Sequence, residues 1–219
     1  MKLPRRVLSR IAWVTAFGVG FGFVESSVVV YLRGLYYPGG FSFPLRLMST
    51  GHVLMEALRE TATLVVLVSV AALAGKRTWE RVGYFLLGFG VWDIFYYVWL
   101  ALLIGWPASL IDWDVLFLIP IPWIGPVIAP LLLSLQMAIL GAMIPLRLES
   151  GLRFGPGVRE WGLGIAATAL ILTSFLSDTG ASLHGALPEP YSYLCLSLGI
   201  LLYGGAFLLA CRKELTRKA

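Results

Sequence analysis

Six apolar stretches, near residues 11–32, 52–75, 82–106, 124–146, 161–176 and 191–210, constrain this chain more than any other feature. A helix rises 1.5 Å per residue, so about 20 residues cross a hydrocarbon layer roughly 30 Å thick. Within lipid, a single segment satisfies its own backbone only as a helix. Charged residues make up 13% of the chain, about half the ~25% of a soluble domain. The expected fold is therefore all-α: a polytopic transmembrane bundle of six helices, forming a single integral membrane domain over residues 1–219. The first stretch is long and shows no small-residue cleavage site, so it reads as a retained helix rather than a secretory leader.

The basic residues then set the topology. Lys2, Arg5, Arg6, Arg10, Lys76, Arg77, Arg81, Arg147, Arg153, Arg159, Arg212, Lys213, Arg217 and Lys218 fall on one side of a six-span arrangement, against Arg33 and Arg46 on the other. Positive charge is retained on the cytoplasmic side. The expectation is a multi-pass protein of the cell membrane with both termini cytoplasmic. Because the basic residues flank the apolar segments, they read as topology signals and not as a nucleic-acid surface. The expected partners are membrane lipid and other membrane subunits.

Three segments then fall outside the membrane. Residues 33–49 are rich in Tyr, Phe, Gly and Pro, a composition suited to the headgroup layer. Residues 107–123 contain Asp112, Asp114 and the run LFLIPIPW. This piece is too short and too rich in proline to span. It reads as an interfacial or re-entrant segment between helices three and four, acceptable only if protein covers its backbone. Pro126 and Pro130 would lie in the first two turns of the fourth helix, where Pro130 is expected to bend it. The third segment holds His184, read as a solvated loop residue. Cys195 and Cys211 stand sixteen residues apart on the last helix, about 24 Å, and so are expected as free thiols.

Against this apolar background the ionisable residues stand out. His52, Glu56, Arg59, Glu60 and Thr63 follow i, i+4, i+7, i+8 and i+11, one helical face. Glu25, Asp93 and Gln136 come from three other helices. Counted inward from the outer ends, His52 lies about 5 Å deep, Glu25 and Glu56 about 10 Å, and Glu60, Asp93 and Gln136 about 16–18 Å. The segment GFGFVE ending at Glu25 also echoes GFGVWD ending at Asp93. On the first helix Gly18, Gly20 and Gly22 make a thin face, with Gly18 and Gly22 in the GxxxG relation that allows close packing.

Ionisable groups inside a membrane face protein or a wet cavity, and three readings of this constellation stay open. The leading one is a cluster in the outer half of the bilayer, built on Glu25, Glu56, Arg59, Glu60, Asp93 and Gln136, that binds or conducts a proton, ion or small polar ligand. In it Arg59 is the counter-ion and His52 a gate. The second is a non-catalytic subunit of a membrane complex, its polar network holding helices together. The third is a membrane metalloenzyme with Glu25, His52, Glu56, Glu60 and Asp93 as ligands of a divalent metal. The ligand types fit that reading, but His-x-x-x-Glu-x-x-x-Glu is not the Glu-x-x-His of di-iron bundles. No phosphate-binding glycine loop, nucleophile elbow, HExxH or CxxC decides for or against catalysis.

Overall fold

A computed structural model describes residues 5–46, 48–177, 179–188 and 190–212. Lys2, Lys213, Arg217 and Lys218 of the charge count lie outside these. Most of the chain is helical: α1 (Arg5–Tyr36), α2 (Thr50–Ala74), α3 (Thr78–Ile104), α4 (Ile128–Glu149), α5 (Val158–Leu176), the short α6 (Thr179–Leu183) and α7 (Tyr193–Arg212). Five of them, α1, α2, α3, α4 and α7, are long and apolar enough to cross a membrane. The fifth expected span, α5, is a helix of 19 residues with Arg159 and Glu160 in its first turn, and it does not belong to that set.

Glycine lets α3 take the central position. α1, α2 and α4 all pack against it, whereas α5 pairs with α7. A Cβ at Gly90 would lie 2.3 Å from the Ser134 carbonyl oxygen, and one at Gly141 2.4 Å from the Leu87 nitrogen. The α3 and α4 backbones are therefore nearly in contact, as small residues permit in a membrane. On α1, Gly18 and Gly22 meet α3 at Val91 and Trp92, while Gly20 faces open space. The GxxxG pair marks the packed face of α1.

The chain is helical as expected, and the segment between α3 and α4 adds one short β-hairpin. Strands β1 (Trp113–Phe117) and β2 (Trp123–Pro126) pair antiparallel with Asp114 opposite Gly125 and Val115 opposite Ile124. Aromatic and β-branched residues suit such a pair. Phe117 stacks on Phe89 of α3, and Trp123 on Phe175 of α5. The tip is secured from both sides: the Leu118 amide donates to Glu60 of α2, and the Pro122 carbonyl accepts from Thr179 of α6 at 2.6 Å. Ile124 to Pro126 of β2 are buried, while Pro120 and Ile121 at the turn are exposed.

Two further boundaries differ from expectation. Helix α4 starts at Ile128, so Pro126 belongs to β2. Pro130 occupies the first turn of α4, where its missing N–H removes no helical bond. Helix α1 continues to Tyr36. Arg33 is thus a helical residue in its last turn rather than part of a loop. Cys195 and Cys211 are free.

Candidate functional site

Glu25 and Arg33 are two turns apart on α1, with Val29 between, so one face of the helix carries all three. The same face logic on α2 brings Glu56, Glu60 and Thr63 inward. These residues, with Asp93, Trp92, Tyr96 and Tyr97 of α3 and Asp114 to Leu118 of the hairpin, line one cavity of about 270 Å³. It lies at the end of the bundle where the hairpin folds in. Arg46 and the aromatic residues Tyr36, Tyr37 and Phe41 complete its rim.

Arg59 holds two acids at once. Its guanidinium pairs with Glu25, while its Nε and Nη2 donate to Glu56 Oε2 at 2.9 and 2.8 Å. Thr63 donates a further bond of 3.2 Å to Glu25. Glu60 lies on the same helix but turns to the hairpin, and both its oxygens accept from the Leu118 amide, at 3.1 and 2.9 Å. Asp93 accepts from the Ser134 hydroxyl at 2.8 Å. Glu25, Glu56, Glu60 and Asp93 are all buried, and buried acids require such partners.

Nearer the rim stands a second ion pair. Arg33 Nη2 donates to Asp114 at 2.9 Å, and both side chains are more than nine-tenths buried. Tyr97 donates to the other Asp114 oxygen at 3.2 Å. The Arg33 guanidinium also lies over Trp106, 3.6 Å from the ring centre, and over Phe41 at 4.2 Å. These aromatic faces fix the guanidinium plane. Its Nη1 is buried and has no hydrogen-bond partner. Burial pushes the Asp114 carboxyl up to about 6, with the Arg33 charge opposing the shift.

Glu25, Glu56, Arg59, Glu60 and Asp93 therefore share one cavity, and the two ends of the GFGFVE/GFGVWD echo meet in it. Gln136 does not. It donates to the Ile200 carbonyl on α7 at 2.8 Å and lines a separate, largely apolar crevice with Trp123, Thr168 and Tyr203. His52 also stands apart, at the exposed start of α2, where its ring meets the Tyr36 hydroxyl and Ser49. Among the described residues no three His, Cys, Asp or Glu side chains are gathered closely enough to hold a metal ion. Of the five residues considered as metal ligands, Glu25 and Glu56 share Arg59, Glu60 accepts from the Leu118 amide, Asp93 accepts from Ser134, and His52 meets Tyr36.

Arg33, Asp114 and Tyr97 are the cavity residues that sequence reasoning passed over. Asp112 and Asp114 are two positions apart and would share a face of a continuous strand, but Asp112 precedes β1 and only Asp114 belongs to it. Asp112 caps the preceding turn, accepting from the Ala108 and Ser109 amides, while Asp114 is buried. The i, i+4, i+8 spacing of Glu25, Val29 and Arg33 was the available signal.

No family model, curated protein or solved structure matches this chain. Function must therefore be argued from the cavity. Toward the opposite end of the bundle its floor becomes apolar. Val14, Ala71, Leu87 and Val91 pack together with Tyr84, and Leu67 lies beside Gly88. Among the described buried side chains, no ionisable group intervenes between the floor of the cavity and Tyr84.

Proposed function

We propose that this chain is a six-pass protein of the cell membrane, α5 being the additional span, with both termini cytoplasmic and the hairpin at the outer face. We further propose that it binds a small amphipathic ligand in the cavity, reached from the outer leaflet. Fourteen basic residues against two support the orientation. The observation that carries the binding reading is the cavity itself: one pocket with aliphatic and aromatic walls and a few convergent polar groups, the usual composition of a small-molecule site. The apolar floor favours binding over conduction, since among the described buried side chains a proton or ion would meet no ionisable group beyond Glu25 and Asp93 before Tyr84. In this reading Arg59 is a fixed counter-ion for Glu25 and Glu56, and Glu60 holds the hairpin wall.

A purely structural network, as in a non-catalytic subunit, draws support from the saturation of Arg59 by two acids. One experiment separates the two readings. Protein in nanodiscs is titrated with the water-soluble neutral amphiphile dihexanoylglycerol, and the melting temperature is followed. Ligand binding to the native state stabilises by about 2.7 kcal/mol at a hundred times Kd. The expected result is a saturable rise that Val29→Phe, which fills the cavity, abolishes. No rise in the unsubstituted protein, or an equal rise in Val29→Phe, would refute the binding reading.

A further inference from the structure

The cavity is electrically uneven. Its deeper part holds Glu25, Glu56, Glu60 and Asp93 around the single cation Arg59, whereas its rim holds Arg33 and Arg46 with only Asp114 to balance them. Arg33 is fixed on every side but one: Asp114 binds Nη2, Phe41 and Trp106 cover the guanidinium, and Nη1 has no partner. A buried guanidinium N–H left unpaired is costly, and an oxyanion is the ligand group that suits a planar guanidinium best.

Arg46 belongs to the same construction. It donates to the Tyr36 carbonyl at 2.9 Å, and its guanidinium lies 5.5 Å from the Tyr37 ring centre. Tyr37 contacts Phe41 with ring centres 5.0 Å apart, and Phe41 in turn lies against Arg33. A run of aromatic rings thus connects the two arginines along the rim. Arg46 is exposed, so it can meet an anion before the anion reaches the buried site.

We propose that this rim binds the phosphate or carboxylate oxygens of an amphipathic ligand, with Arg33 Nη1 donating to the oxyanion, Arg46 drawing it in, and the apolar body resting against Val29, Leu32 and Val53. The inference rests on the ligand-binding reading above and adds the ligand's charge class. The aliphatic walls beside the arginines select an amphiphile over a free anion.

The test compares three probes on the whole protein in nanodiscs of neutral lipid: dihexanoyl phosphatidic acid, dihexanoylglycerol and inorganic phosphate. The unsubstituted protein is expected to bind the phosphatidic acid at least tenfold more tightly than the neutral diglyceride, and free phosphate at least tenfold more weakly than the phosphatidic acid. Arg33→Lys should bring the two amphiphiles within about threefold of each other. Arg46→Gln, which touches no buried ion pair, should lower the phosphatidic acid affinity severalfold and slow its association at low salt. Equal affinity for the two amphiphiles in the unsubstituted protein would overturn the oxyanion inference while leaving the cavity reading intact. The same holds if Arg46→Gln is without effect. Free phosphate binding as tightly as phosphatidic acid would overturn the amphiphile class. Failure of all three probes to bind would overturn the cavity reading itself.

Discussion

Replacing Glu60 with alanine should loosen the hairpin before it loosens the helices. Both oxygens of Glu60 accept the Leu118 amide, at 3.1 and 2.9 Å, and the side chain is buried. Alanine leaves that N–H without its acceptor. An orphaned buried donor costs about 1–3 kcal/mol. If the hairpin opens locally, free energy translates directly into exchange rate, at tenfold per 1.4 kcal/mol. The amides of residues 113–126 should therefore exchange roughly 5- to 150-fold faster in Glu60→Ala, with little change at the buried faces of α3 and α4. Glutamine keeps one carbonyl oxygen but loses the charge assistance, which roughly doubles the strength of such a bond, so Glu60→Gln should recover about half the loss. Hydrogen exchange followed by mass spectrometry reads both variants. Unchanged hairpin exchange in Glu60→Ala would refute the reasoning. So would uniform acceleration over the whole chain, because the tip would then not be a local unit held from α2.

Other expectations follow from single contacts. Gly90→Ala places a Cβ 2.3 Å from the Ser134 carbonyl and should cost about 1–3 kcal/mol by overpacking, read as a lower melting temperature, whereas Gly20→Ala meets nothing within 4 Å and should leave it unchanged or slightly raised. Arg59→Gln strands Glu25 and Glu56 together and should destabilise by about 3 kcal/mol or more; the triple variant with Glu25→Gln and Glu56→Gln should recover most of that loss in the same melting assay. Burial raises Asp114 from 3.8 to about 6, so the folded state holds this proton more tightly than the unfolded chain. Its contribution to stability is therefore greatest below about pH 4 and declines as pH rises toward 6. Melting temperatures between pH 4 and 7 should show a shallower decline in Asp114→Asn than in the unsubstituted protein.

The helices were legible because lipid imposes a length and a composition, and the α2 face was legible because 3.6-residue periodicity holds whatever the neighbours are. The grouping of Glu25, Glu56, Arg59, Glu60 and Asp93 followed from depth along each helix. Gln136 shows the limit of that reasoning: depth says how far along an axis a side chain sits, not which neighbour it faces, and Gln136 faces α7. The Arg33–Asp114 pair was hidden for another reason. Its partners are 81 residues apart in the chain, and each sat in a segment whose composition reads as interfacial rather than as part of a span. The hairpin escaped because WDVLF and WIGP are short, bounded by prolines, and equally compatible with an interfacial coil. Their place is set by contacts with distant residues: Glu60, Thr179, Phe175, Arg33 and Tyr97.

The two anchors of the hairpin tip also impose an order on biogenesis. Glu60 leaves the ribosome well before the strands, but Thr179, whose hydroxyl holds the Pro122 carbonyl, follows that carbonyl by 57 residues. At translation rates of about 5–20 residues per second, the nascent tip waits roughly 3–11 seconds for its second anchor. During that interval Glu60 of α2 is the tip's one anchor of the two, while Arg33 of α1 and Tyr97 of α3 hold β1 at Asp114.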